Sequence, residues 1–226
     1  VTNPSQPSLL LALDGSAPRF SIALADADGT LLAEEVLDQA AASRTLFAAL
    51  DRALVHAGAR RGDLAGIVAT RGPGSFTGVR LALAAAMGLC QALGTEGAAV
   101  GSLEALAECA PPDAERVVTA IDALRGEWYT QTFVGPRRLP ESDPTRVPDA
   151  LLPRNGWLIG FGLERLGDPS QTTSHTTPDR GLAAAALRAF ARRGAIWQLA
   201  DLSQPIYLRE AATTPAPPTR HSGASS

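Results

Sequence analysis

At 226 residues with 45% hydrophobic content, the chain can bury a full core and suits one domain of two lobes or two small domains. Its 20 basic residues, all Arg, against 23 acidic ones give a net charge of −3, which offers no overall attraction to a nucleic-acid backbone; any RNA contact is expected through a partner. Cys90 and Cys109 stand in no C-x-x-C arrangement, which argues against a disulfide framework or a zinc site, and residues 1–8 lack the basic start and apolar core of a signal peptide, so a cytoplasmic location is expected.

Leu9 to Leu13, Phe20 to Ala25 and Thr30 to Val36 are apolar, strand-like runs. Asp14-Gly15-Ser16 with Pro18, and Asp26-Ala27-Asp28-Gly29, divide them into a predicted meander. Leu46, Phe47, Leu50 and Leu54 recur at helical spacing and Gly58 stands where a helix would stop, predicting an amphipathic helix from Ser43 to Ala57. A β-type run, Gly66 to Thr70, then leads into Arg71-Gly72-Pro73-Gly74-Ser75-Phe76-Thr77-Gly78-Val79-Arg80, the only run whose composition demands a special backbone. It reads as a tight strand-to-helix turn. Its glycines tolerate positive φ or close approach, Pro73 fixes φ, and Ser75 or Thr77 can cap the following helix. Such a turn aims free N–H groups outward, where an anion could sit. A Walker loop would need a Lys, of which the chain has none, and Gly72, Gly74 and Gly78 are spaced G-x-G-x-x-x-G rather than as a dinucleotide fingerprint. A purely structural turn is the competing reading.

The apolar run from Val79 to Leu93 carries Leu81, Leu83, Met87, Leu89 and Leu93 pointing in several directions, with Ala and Gly88 between them. A helix with almost no wet side is covered either by another layer of its own domain or by another protein, and Ala82, Ala85, Ala86 and Gly88 suit close helix packing. Interrupted by Arg80 and Gln91, the run reads as too short to span a bilayer. Farther on, Val117 to Asp122, Glu127 to Val134 and Trp157 to Phe161 read as strands. Five prolines from Pro136 to Pro153 leave only loops or short strands there, and Gly181 to Arg193 reads as a closing helix stopped by Gly194. The predicted organisation is a disordered start (1–8), a first lobe (9–110), a smaller second lobe (111–210) and a disordered tail (211–226). The β-β-β-α-β-α order of the first lobe suits a mixed sheet with helices packed on it, as in the ribonuclease-H-like lobes of actin-type proteins.

Catalytic constellations are missing: His56, His175 and His221 are scattered, and no pair has metal-ligand spacing. In actin-type ATPases an Asp-x-Gly-x-Thr/Ser turn between the first two strands holds phosphate. Asp14-Gly15-Ser16 compresses that spacing and is equally a hairpin signal. Asp122 suits either a second carboxylate near a cleft or a turn. The candidate phosphate or nucleotide residues are therefore Asp14, Ser16, Gly72, Gly74, Ser75 and Thr77, with no catalytic residue and no metal ligand assigned.

The string Gly72 to Arg80 resembles the signature of the TsaB (YeaZ) family. Further matches follow in order: Leu11-Ala12-Leu13-Asp14-Gly15-Ser16, Gly101-Ser102-Leu103-Glu104-Ala105-Leu106-Ala107, the run Ile121 to Tyr129 with Leu124 in place of the usual Arg, and Pro205-Ile206-Tyr207-Leu208-Arg209. The resemblance spans residues 9–210 and is thin between Pro136 and Gln204. It implies an actin-like (ASKHA, ribonuclease-H-like) two-lobed α/β fold. It also implies a non-catalytic subunit that dimerises with and activates a TsaD-type paralogue, which transfers a threonylcarbamoyl group to the adenosine beside a tRNA anticodon. A TsaE-type ATPase would join, tRNA would be met only through the complex, no membrane would be involved, and a homodimer is left open for the chain when alone. The implied partner surface on the helix after the glycine loop is Arg80, Leu83, Ala84, Met87, Gly88 and Gln91. No cofactor is implied beyond a nucleotide at a subunit interface, and the paralogue's spaced metal-binding histidines have only His56 as a counterpart. The residues also leave open an actin-fold ATPase or kinase acting on its own through Asp14, Ser16, the Gly72 to Thr77 loop and Asp122; a peptidase is weaker, since no nucleophile has an identifiable base.

Overall fold

Alternation of large and small apolar side chains along the first strands sets the architecture. In the computed structural model, which describes residues 8–166 and 174–208, β1 (Leu9–Asp14), β2 (Arg19–Ala25) and β3 (Leu31–Asp38) form the antiparallel meander. After α1 (Ala42–His56), β4 (Leu64–Thr70) pairs parallel to β1, and after α2 (Phe76–Leu93), β5 (Glu96–Val100) pairs parallel to β4. The sheet order is β3-β2-β1-β4-β5. Leu9, Leu11 and Leu13 of β1 and Phe20, Ile22 and Leu24 of β2 point to one face, where they pack with the inward sides of α1 and α2. The opposite face presents Ala12, Ala23 and Ala25, and these small residues leave room for a helix from much later in the chain to lie close.

That helix is α4 (Ala183–Arg192), which contacts β1, β2, β4 and β5 although its sequence position lies in the range read as the second lobe. The short α3 (Ser102–Ala107) packs beside it. Next come β6 (Arg116–Asp122), β7 (Glu127–Val134), β8 (Leu139–Pro140), β9 (Thr145–Pro148), β10 (Trp157–Phe161) and β11 (Ser174–Thr176). They form a second sheet in the order β11-β10-β6-β7-β8, with β9 also on β7. One apolar cluster runs from Ala12 and Val68 through Leu103, Leu106 and Leu187 to Val117, Phe133 and Ile159, so α3 and α4 share their core with both sheets. Trp128, Leu158 and Leu163 fill the far face of the second sheet.

Three differences from the sequence reading have physical causes. β5 was not expected: Glu96-Gly97-Ala98-Ala99-Val100 holds a single β-branched residue, and it is a strand because β4 pairs with it and the turn Leu199–Ser203 covers it, with the Gln198 amide donating to the Gly97 carbonyl at 3.0 Å. α2 starts at Phe76 rather than Val79 because the Ser75 hydroxyl caps it, accepting from the Gly78 amide at 3.3 Å. At 18 residues α2 is long and apolar enough to cross a membrane, and one side of it, Val79, Ala82, Leu83, Ala85, Ala86, Leu89 and Cys90, is buried in the sheet-facing core of its own chain. Residues 136–153 hold the short strands β8 and β9 among loops, as expected. The ends read as disordered, apart from Ser8, lie outside the described residues together with His221 and Arg209.

Candidate functional site

Asp14 ends β1 with no solvent exposure, and its carboxylate accepts four hydrogen bonds. Its Oδ1 accepts from the Ser16 amide at 2.9 Å, the Ser16 hydroxyl at 2.6 Å and the Thr70 hydroxyl at 2.6 Å. Its Oδ2 accepts from the Leu182 amide at 2.9 Å. Asp14 therefore ties together the β1–β2 turn, the end of β4 and the start of α4. The Ser21 hydroxyl accepts from the next amide, Ala183, at 3.1 Å, so two of the orphan N–H groups that begin α4 are satisfied by side chains of the first hairpin.

The glycine loop docks on the same turn. The Ser75 amide donates to the Ser16 carbonyl at 3.0 Å, and the Gln39 side-chain amide donates to the Gly15 carbonyl at 2.9 Å and the Ser75 hydroxyl at 3.1 Å. A side chain on Gly15 would collide with the Gly78 backbone, and one on Gly78 with the Gly15 carbonyl and Gln39. The glycines are thus needed for two backbones to touch. Gly72, at φ 93°, is crowded in the same way: a Cβ there would stand 2.8 Å from the Ile206 carbonyl oxygen. Of the six candidate phosphate residues, Asp14, Ser16, Gly74 and Ser75 are brought together, with Gly74 against Ser16, while Gly72 lies against Ile206 and Val79 and Thr77 is exposed on the first turn of α2. An anion at this loop would have to displace the Gly15–Ser16 backbone that fills it.

The outer side of α2 is different. Arg80, Ala84, Gly88 and Gln91 are exposed along one stripe with Met87 half-buried beside it, whereas Leu83 points the other way, only 4% exposed, into the core. A Cβ on Gly88 would meet nothing within 4 Å. On the same side of the sheet, α1 exposes Phe47 and Val55. The stripe ends at a cluster that the sequence does not reveal. Arg80 donates from Nε to the Tyr207 hydroxyl at 2.8 Å, its guanidinium carbon lies 3.7 Å from the centroid of the Phe76 ring, and the Phe76 and Tyr207 rings are 5.1 Å apart. Residues 205–208 reach this place because the Ile206 amide donates to the Arg71 carbonyl at 2.7 Å. Two motifs matched separately in the sequence, Gly72 to Arg80 and the Pro205 run, are in contact here.

Elsewhere the candidates fall into structural roles. Asp122 accepts from the Leu124 amide at 2.7 Å and lies 3.3 Å from Arg165, which also sits 3.1 Å from Asp149 and over the Trp128 ring, so Asp122 belongs to the β6–β7 turn network. His56 is exposed at the end of α1. Among the described residues no group of three His, Cys, Asp or Glu could hold a metal ion. Burial, reinforced by the charge of Glu96, pushes the Cys90 thiol up to about 11, and burial pushes Cys109 to about 11 as well, so neither is a thiolate near neutrality.

A family model described as TsaD, tRNA N6-adenosine threonylcarbamoyltransferase, matches residues 30–139. The chain is similar to the tRNA threonylcarbamoyladenosine biosynthesis protein TsaB of Escherichia coli (strain K12), 36% identical over 124 residues, or 53% of this chain and 52% of that protein. The matches span about half the length of the curated relatives or less. YeaZ from Pseudomonas aeruginosa has a similar solved structure, with a TM-score of 0.74 and 28% identity over 89% of this chain and 100% of that one. Ethanolamine utilization protein EutJ from Carboxydothermus hydrogenoformans, at 11% identity and a TM-score of 0.50 over 84% of this chain and 92% of that one, shares the fold alone. The architecture is actin-like: mixed sheets flanked by helices.

Proposed function

Since the chain belongs to the TsaB/YeaZ family, we propose that it serves tRNA threonylcarbamoyladenosine biosynthesis as a non-catalytic subunit that pairs with and activates a TsaD-type paralogue. The observation that carries this reading is the uncovered stripe of α2: Arg80, Ala84, Gly88 and Gln91 face outward on a helix whose other side is fixed in the core. Small residues at Ala84 and Gly88 let a second helix approach to about 8 Å, close enough for backbone-level packing. The uncovered Phe47 and Val55 of α1 extend the apolar area such a partner would remove from water.

The non-catalytic part rests on chemistry already engaged elsewhere. Asp14 is committed to four donors within the chain, and the Ser75 amide and the Gly15–Gly78 contact close the glycine loop. The match to a model described as a transferase covers residues 30–139, the part with the loop and α2, as a paralogue sharing that lobe would give. In this reading the transfer chemistry belongs to the paralogue, tRNA and a TsaE-type ATPase meet the complex through it, and the assembly is cytoplasmic.

The test is co-elution of the purified chain with its TsaD-type paralogue, alongside ATP turnover by the chain alone. Pairing with negligible turnover is expected, and Gly88→Arg is expected to abolish pairing while the circular dichroism spectrum stays that of the wild type. Robust turnover by the isolated chain, or undiminished pairing by folded Gly88→Arg, would reject the proposal.

A further inference from the structure

Arg80 is the single charged residue among the 18 of α2, and its environment is unlike that of the ion-paired arginines of the chain. Arg52, Arg61, Arg165 and Arg192 each lie within ion-pair distance of a carboxylate of the chain. Arg80 has no such partner among the described residues. It is nevertheless held in place: Nε is bound to the Tyr207 hydroxyl at 2.8 Å and the guanidinium plane rests 3.7 Å over Phe76. That leaves the two terminal nitrogens, on an exposed side chain, without a hydrogen-bond partner among the described residues. A guanidinium fixed at Nε and on one face presents the planar, two-pronged donor edge that matches a carboxylate. With the side chain already ordered, little rotamer entropy remains to be lost on binding.

We infer that Arg80, positioned by Phe76 and Tyr207, receives an Asp or Glu side chain of the protein that covers α2. This rests on the proposed reading of α2 as a partner face and names the chemistry the partner brings to it. Charge complementarity also separates two occupants. A second copy of this chain would offer no acid from α2, which contains none, and the acid of α1, Asp51, is already bound by Arg61. A self-pair of α2 on α2 would therefore bring two Arg80 guanidiniums to a helix that offers neither of them an anion. A different protein, carrying a carboxylate among small or apolar residues, satisfies both the stripe and the cation. Tyr207 and Phe76 are positioning residues in this arrangement, Tyr207 brought to the start of α2 by the Ile206–Arg71 backbone bond.

Calorimetric titration of the full chain with its TsaD-type paralogue tests this, using Arg80→Ala, Arg80→Lys, Tyr207→Phe and Gly88→Arg, each checked for wild-type circular dichroism. Arg80→Ala is expected to weaken binding about tenfold to hundredfold, the loss of a charge-assisted pair at an interface centre, and to flatten the salt dependence of the affinity. Arg80→Lys is expected to recover little, because an ammonium cannot make the paired bonds, and Tyr207→Phe to weaken binding severalfold with its ring retained. Wild-type affinity for Arg80→Ala, with Gly88→Arg non-binding, would overturn the carboxylate inference while leaving the face intact. Wild-type affinity for Arg80→Lys would overturn the forked geometry. Wild-type affinity for both Arg80→Ala and Gly88→Arg would overturn the partner face itself.

Discussion

Replacing Asp14 by Ala separates a structural knot from a ligand site. The carboxylate accepts four hydrogen bonds in a place with no solvent exposure. The Ser16 and Thr70 hydroxyls can rotate to other acceptors, but the Ser16 and Leu182 amides are fixed by the backbone. Each buried donor left unsatisfied costs about 1–3 kcal/mol, so two fixed amides imply a loss of about 2–6 kcal/mol. For a chain of this size that lowers Tm by roughly 2–4 °C per kcal/mol, a drop on the order of 10 °C. Asp14→Asn keeps the size and one oxygen but sets an NH2 group against one of the four donors, and is expected to cost about 1–3 kcal/mol. Thermal melts followed by circular dichroism, with urea titrations to fix the free energy, read both variants. An Asp14→Ala chain that melts within about 2 °C of the wild type would refute the reasoning. A simultaneous loss of nucleotide binding in that chain would reassign the carboxylate to a phosphate site.

The two glycines of the loop-and-helix segment should respond in opposite ways. Gly78→Ala drives a methyl group into the Gly15 carbonyl and Gln39, and is expected to yield insoluble or strongly destabilised protein, read from soluble yield and urea midpoint. Gly88→Ala meets open space on an exposed helix turn and is expected to raise stability by up to about 1 kcal/mol in the same titration. The cysteines supply a pH test. Both thiols are pushed up to about 11 by burial, above their unfolded values, so their contribution to stability is complete below about pH 8.5 and is lost as pH rises through 11. Tm is expected to fall between pH 8.5 and 11, and a Cys90→Ala, Cys109→Ala double variant to lose part of that fall; an identical pH profile in the variant would contradict it.

How much could be read in advance depended on the distance between interacting residues. β1, β2, β3 and α1 follow from alternation and helical spacing within a few residues, and the glycine loop announced itself because only glycine allows the contact of Gly15 with Gly78. β5 was invisible because Gly97, Ala98 and Ala99 have no strand preference; the close approach of Leu199 and Leu202 to Gly97 explains the choice of glycine only after folding. Which positions of α2 face outward is not legible in the pattern because Ala and Gly carry no polar label, so Ala84 and Gly88 outside look the same in sequence as Ala82 and Ala86 inside, and Leu83, placed on the partner surface by the resemblance, is in the core. The two knots that define the site join Asp14 to Leu182 across 168 positions and Arg80 to Tyr207 across 127, and no local pattern reports such pairs. The resemblance had placed both partners of the second pair in matched motifs without saying that they touch.

The most direct measurement is threonylcarbamoyladenosine formation on tRNA by the purified TsaD-type paralogue and its companion components, with the wild-type chain or with folded Gly88→Arg added. Stimulation by the wild-type chain and none by Gly88→Arg is the expected result. Equal stimulation by both would contradict a partner surface on the outer side of α2.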